Sequence, residues 1–189
     1  MPKTEQAEKS PRRADTIKYD FTVMGNPCFK LWDYGWFDIT CCQVSGVSGQ
    51  PFIPTDFFAS LLNHEIYRQD YGSVRIEDET RDIHGPFLIE RLQPSNFVEI
   101  SFDEQIEYMC ARYADSKHFY EPPEAAQIDA IDAYLNQLPK ERMRQFRLAV
   151  DHEDPDYHHE LWSHHIIFDE YILLDPQREN MWLMVMGYD

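Results

Sequence analysis

Near its C-terminal end the chain runs from Ile166 to Leu174 through Phe168, Tyr171 and Ile172, turns over Asp175-Pro176-Gln177-Arg178-Glu179-Asn180, and returns from Met181 to Tyr188. Two apolar stretches around a polar turn that contains proline read as a β-hairpin. Both stretches are nearly continuous in apolar residues, which predicts that the hairpin lies near the centre of a sheet. The chain has 189 residues, 43% of them hydrophobic, enough for one core or at most two small ones.

The rest of the chain supplies partners for that hairpin. Ile17 to Val23 and Trp32 to Ile39 are rich in aromatic and β-branched residues, with Gly25-Asn26-Pro27 between them, and read as two strands joined by a turn. Residues 45 to 51 form a Gly- and Ser-containing loop. Pro54-Thr55-Asp56 then opens a helix predicted to reach Gln69, with Phe57, Phe58, Leu61, Leu62 and Ile66 on one face. Segments 73 to 77, 86 to 92 and 97 to 102 read as short strands. Ser101 and Glu104 have capping-box spacing, predicting a helix to Tyr113. Pro122-Pro123 precedes a further helix whose Ile128, Ile131, Leu135 and Leu138 share a face, and Pro139 ends it. Lys140 to Val150, which contains Arg142, Arg144 and Arg147, is taken as a basic helix. The expected fold is one α+β domain over residues 17–189, with a mainly antiparallel sheet of five to seven strands and three or four helices packed on one face. Residues 1–16 are polar and carry Lys3, Lys9, Arg12 and Arg13; they are expected to form a disordered N-terminal tail.

Charge narrows the function. Thirty-four acidic residues face 17 basic ones, for a formal net charge of −17, which opposes any general affinity for phosphate backbones or anionic lipid. No nucleic-acid partner is expected. No window approaches the roughly 18 consecutive apolar residues that span a bilayer, and no apolar stretch follows the basic residues of the tail. The expected setting is therefore cytoplasmic, with no membrane partner. Cys28, Cys41, Cys42 and Cys110 lack a Cys-x-x-Cys pair and read as free thiols in a reducing compartment.

Motifs for catalysis are weak. Gly46-Val47-Ser48-Gly49 lacks the Lys-Ser/Thr ending of a phosphate-cradling loop. Neither Ser45 nor Ser48 sits in a nucleophile-elbow context. The pairs Asp129/Asp132 and Asp169/Glu170 are candidates for acid–base work in a cleft. Histidine is denser than chance in one place: His152, His158, His159, His164 and His165 lie within fourteen residues. His159 to His164 resembles a zinc-protease helix with one residue too many, and five helical steps turn the second imidazole away from the first. If extended, His158 and His164 share a face but lie about 20 Å apart, so a metal would need ligands from elsewhere, such as His64, His84 or His118. A metal-dependent hydrolase using His158, His164 and Asp156 with a divalent ion such as zinc is the enzymatic reading. A structural subunit of a larger assembly is another.

Residues 151 to 189 hold ten carboxylates against one basic side chain, Arg178. Such an excess steers a positively charged partner toward it. The main expectation is thus a non-catalytic binding protein of the toxin-immunity or inhibitor type. It would need no cofactor, and would hold a basic protein partner through Asp151, Glu153, Asp154, Asp156, Tyr157 and Trp162, with Phe168 and Tyr171 as further aromatic anchors.

Overall fold

The computed structural model describes residues 17–46, 51–69, 71, 82–114, 122–151, 154–158, 167–177 and 179–188. Seven strands form one antiparallel sheet: β1 (Asp20–Gly25), β2 (Cys28–Lys30), β3 (Gly35–Ser45), β6 (Phe97–Ile100), β7 (Arg144–Leu148), β8 (Ile167–Asp175) and β9 (Asn180–Tyr188). The order across it is β1-β3-β9-β8-β7-β6, with β2 also paired to β3. A separate two-stranded ribbon joins β4 (Ile83–His84) to β5 (Phe87–Leu88). The C-terminal hairpin therefore occupies the centre, and every residue of β8 is buried.

Three helices cover the sheet: α1 (Pro54–Leu62), α2 (Phe102–Tyr113) and α3 (Ala125–Leu135). Successive residues of a strand point to opposite faces, and in β8 both sets are largely apolar, so the strand feeds a core on each side. Phe168, Ile172 and Leu174 enter one core with Phe57, Phe58 and Leu61 of α1. Ile167, Tyr171 and Leu173 enter a second core with Met109 and Tyr113 of α2 and Ile131 and Leu135 of α3. The α+β fold is as expected, but helices on a single face describes only α2 and α3; α1 lies on the other side, because a sheet whose central strands are apolar on both faces needs cover on both. Phe58 stacks on Phe97 of β6 at 4.1 Å between ring centroids, fastening α1 to the edge of the sheet. Burying one such ring contributes about 1.5–3 kcal/mol.

Local chemistry explains where the helices begin. The Ser101 hydroxyl accepts from the Glu104 backbone N–H at 3.2 Å, and the Glu104 carboxylate accepts from the Ser101 N–H at 2.7 Å, which is the expected capping box. α1 stops at Leu62, short of Gln69, and the chain continues as a single 3-10 turn at Glu65–Tyr67. The basic helix over residues 140–150 does not form. A 3-10 turn at Lys140–Arg142 leads into β7, whose Phe146 and Leu148 enter the α1 core at the two-residue spacing of a strand. The segment 86–92 contains β5 and a 3-10 turn at Ile89–Arg91. The tail over 1–16 and the expected strand at 73–77 fall outside the described residues. Among the described residues no helix is long and apolar enough to cross a membrane.

Candidate functional site

Asp169 and Glu170 stand side by side in the middle of β8, 3% and 1% exposed. An ionised carboxylate withdrawn from water is costly unless paired and hydrogen-bonded, and each finds partners on its own face of the sheet.

On the α1 face, Glu170 Oε2 lies 2.6 Å from His84 Nε2, and the Tyr67 hydroxyl donates to both Glu170 oxygens at 3.1 and 3.0 Å. His84 Nδ1 lies 2.7 Å from the backbone carbonyl of Tyr67. A carbonyl only accepts, so Nδ1 carries a proton, and Nε2 and Glu170 share a second one between them. The His84 ring stacks on Tyr67 at 3.6 Å, almost parallel, and meets Phe168 edge-on. Gly85, at φ +52°, completes the turn after β4; a Cβ there would come within 2.1 Å of the Phe168 ring. Burial, reinforced by the Glu170 charge, holds the Tyr67 hydroxyl well above its ordinary titration range. Tyr67, His84 and Glu170 are fully enclosed, so they act as an internal strut between the 3-10 turn, β4 and β8.

On the other face, Arg112 of α2 grips Asp169 with two hydrogen bonds, from Nε to Oδ2 at 2.5 Å and from an NH2 group to Oδ1 at 3.3 Å. Arg147 of β7 reaches the same Oδ1 at 3.4 Å, and its guanidinium lies over the Tyr108 ring at 4.3 Å. Tyr171 stands directly opposite Arg147 across the β7–β8 ladder. Burial, with Asp169 as the next contribution, raises its hydroxyl far above the ordinary tyrosine value. At the end of β8, Asp175 is wholly buried and accepts from Arg142 at 3.2 Å.

These pairings correct two expectations. Asp169 and Glu170 cannot work as an acid–base pair in a cleft, because strand alternation sends them to opposite faces and both are engaged. Phe168 and Tyr171 are core residues, 2% and 0% exposed, and present no surface to a partner. Asp129 and Asp132 are exposed on α3.

The remaining candidates are only partly gathered. Asp151 and Asp156 are exposed, while Asp154 and Tyr157 are half-buried; Tyr157 packs against the α1 core. The Asp154 carboxylate accepts from the Asp156 backbone N–H at 3.0 Å, shaping the turn. His158 is buried, its ring 5.7 Å from that of Phe87, whereas Asp156 faces outward. Glu153, Trp162, His164 and three others of the histidine cluster, His152, His159 and His165, lie outside the described residues. Among the described residues no three or more His, Cys, Asp or Glu side chains come together in a way that would hold a metal ion.

The basic residues show a pattern invisible in the linear sequence. Among the described residues Lys30, Arg68, Arg91, Arg112, Arg142, Arg144 and Arg147 each contact a carboxylate, and Lys140 bonds Asn136 while lying over Phe102. Meanwhile Asp103 and Glu107 on α2 and Asp129 and Asp132 on α3 are exposed, and both helices pack on one face of the sheet. Arg142, Arg144 and Arg147 balance carboxylates across the fold, whereas the roles of Arg112, Tyr67 and His84 beside Asp169 and Glu170 have one signal in the sequence: two adjacent carboxylates inside an otherwise apolar central strand require a partner on each side. No protein-family model, curated protein or solved structure matches the chain.

Proposed function

We propose that the protein is a non-catalytic acidic binding protein that recognises a basic protein partner, in the manner of an inhibitor or immunity protein. The observation that carries this reading is the distribution of charge. The described arginines are tied to carboxylates, three of them to the buried Asp169 and Asp175, so the surplus that remains on the surface is negative. It includes the helical layer, where Asp103, Glu107, Asp129 and Asp132 are exposed. In this reading the binding face is formed by α2 and α3, while Asp151 and Asp156, exposed beside Val150 and Tyr157 of the α1 core, form a separate acidic patch. Electrostatic steering of this kind raises association rates by 10 to ~10³-fold and weakens with salt.

The test is to measure association with a panel of basic nucleases and other cationic proteins across a salt series. A true partner should lose association rate steeply as salt rises. Replacing Glu107, Asp129 and Asp132 together by lysine should slow association about tenfold or more at low salt. Binding that ignores both salt and these substitutions rules out the acidic helical layer as the contact surface.

A further inference from the structure

Two strands end the sheet, β1 and β6, and among the described residues neither has a partner on its outer side. The outward N–H and C=O groups of such a strand are a template for another extended chain. β1 is blunted: its register against β3 shifts between Val23 and Gly25, and an irregularity of this kind twists an edge out of line. β6 is not. It runs in unbroken register against β7, from Phe97 opposite Leu148 to Ile100 opposite Gln145, and contains neither lysine nor proline. Its one charge, Glu99, is held by Arg144 through hydrogen bonds at 2.8 and 2.7 Å.

The side chains beside that edge are arranged as in a protein interface. Phe97 enters the α1 core, so Val98 and Ile100 face the side of α2. Val98 is 47% exposed in mid-strand and Tyr108 of α2 is 40% exposed. They share a neighbour, Arg147, which stands opposite Val98 on the ladder and lies over the Tyr108 ring at 4.3 Å. Arg147 is itself tied to the buried Asp169, so the ring is held from one side and loses little freedom when a partner arrives. On the same helix Asp103, Glu104 and Glu107 are exposed, all within about a turn and a half of Tyr108. An apolar centre with a charged rim is the ordinary anatomy of an interface.

We propose that β6 is the docking edge for an extended, lysine- or arginine-bearing segment of the partner, which pairs with it as a further strand and rests apolar side chains on Val98 and Tyr108. The assignment rests on the reading of the protein as an acidic binder and names the element that binds. Charge selects the occupant. A second copy would bring a net charge of −17 and its own Asp103, Glu104 and Glu107 against the same carboxylates, whereas a cationic strand meets them favourably. β6 is only four residues long, so the exposed side chains carry much of the affinity and backbone pairing sets the register.

Titration of the full chain with a fluorescent, end-blocked peptide of alternating lysine and valine, with amide hydrogen exchange read over residues 97–100, tests this. Binding should saturate, weaken with salt and slow exchange in that segment. Val98→Lys places a charge on the edge, as natural sheets do to close one, and should weaken the peptide about tenfold or more. Val23→Lys makes the same change of charge at a 51% exposed site on β1 and should alter binding little. Both sites are exposed, so both variants should fold as the parent does. The same peptide methylated on every backbone nitrogen keeps its charges and should not bind. Salt-sensitive binding that is indifferent to Val98→Lys or to methylation overturns the assignment of β6 and leaves the acidic-binder reading standing. Absence of saturable binding overturns it as well, and the salt series with folded cationic proteins then decides that reading separately. A parent chain that dimerises, with Val98→Lys restoring the monomer, gives the edge to a second copy and overturns it too.

Discussion

Glu170 illustrates what a single side chain does inside this sheet. Its charge is balanced by one proton shared with His84 and by the Tyr67 hydroxyl. Replacing His84 by alanine strands the carboxylate in the core with a single neutral donor. Removing one partner of a buried pair costs about 3–5 kcal/mol, and His84→Ala should lower stability by that much in urea unfolding at neutral pH. Replacing His84 and Glu170 together by leucine should cost clearly less than the two single changes summed, because no orphaned charge remains. The thiols offer a second reading at this scale. Cys28 and Cys110 are exposed, whereas Cys42 is buried and its thiol is pushed up to about 12, chiefly by desolvation and then by Cys41. Since the thiolate is the reactive species, an aromatic disulfide reagent at neutral pH should label Cys28 and Cys110 in the native protein and reach Cys42 only on unfolding.

At the level of elements, legibility depended on whether one rule governed the segment. The start of α2 was readable because Ser101 and Glu104 satisfy each other's backbone groups by local chemistry alone; Ser101→Ala should cost about 1 kcal/mol of stability, measured by thermal or urea unfolding. The hairpin β8–β9 and its central place were readable because nearly continuous apolar strands have few other homes. β7 was not, because the run of Lys140, Arg142, Arg144 and Arg147 suggested a basic helix and masked the alternation of Phe146 and Leu148. Those arginines serve the sheet: Arg144 pairs with Glu99 across the β6–β7 ladder at 2.7 Å and lies over the Phe52 and Phe146 rings. The candidate site escaped the sequence for a related reason. Its members come from α2, β7 and β8: the register of the sheet brings Arg147 beside Tyr171, and the packing of α2 on that face brings Arg112 over Asp169.

For the molecule as a whole, two cores on opposite faces share one central hairpin, so tyrosines on both sides are sealed from water by the same two strands. Tyr67 belongs to the α1 core and Tyr171 to the α2–α3 core, and both are fully buried. Burial raises both hydroxyls above their ordinary value, assisted by Glu170 and Asp169 respectively. A tyrosine that keeps its proton in the folded state and releases it when unfolded favours folding only while the unfolded chain is also protonated. That contribution is complete below the unfolded tyrosine value of about 10 and falls as pH rises beyond it, by about 1.4 kcal/mol per unit for each such group. The two faces should therefore fail together in alkali. In a spectrophotometric titration carried into alkali, Tyr67 and Tyr171 should ionise in one cooperative step that coincides with loss of the circular dichroism of the sheet. If phenolate absorbance instead rises to completion while that signal is unchanged, water reaches both tyrosines in the folded protein, and the two sealed faces do not exist in solution.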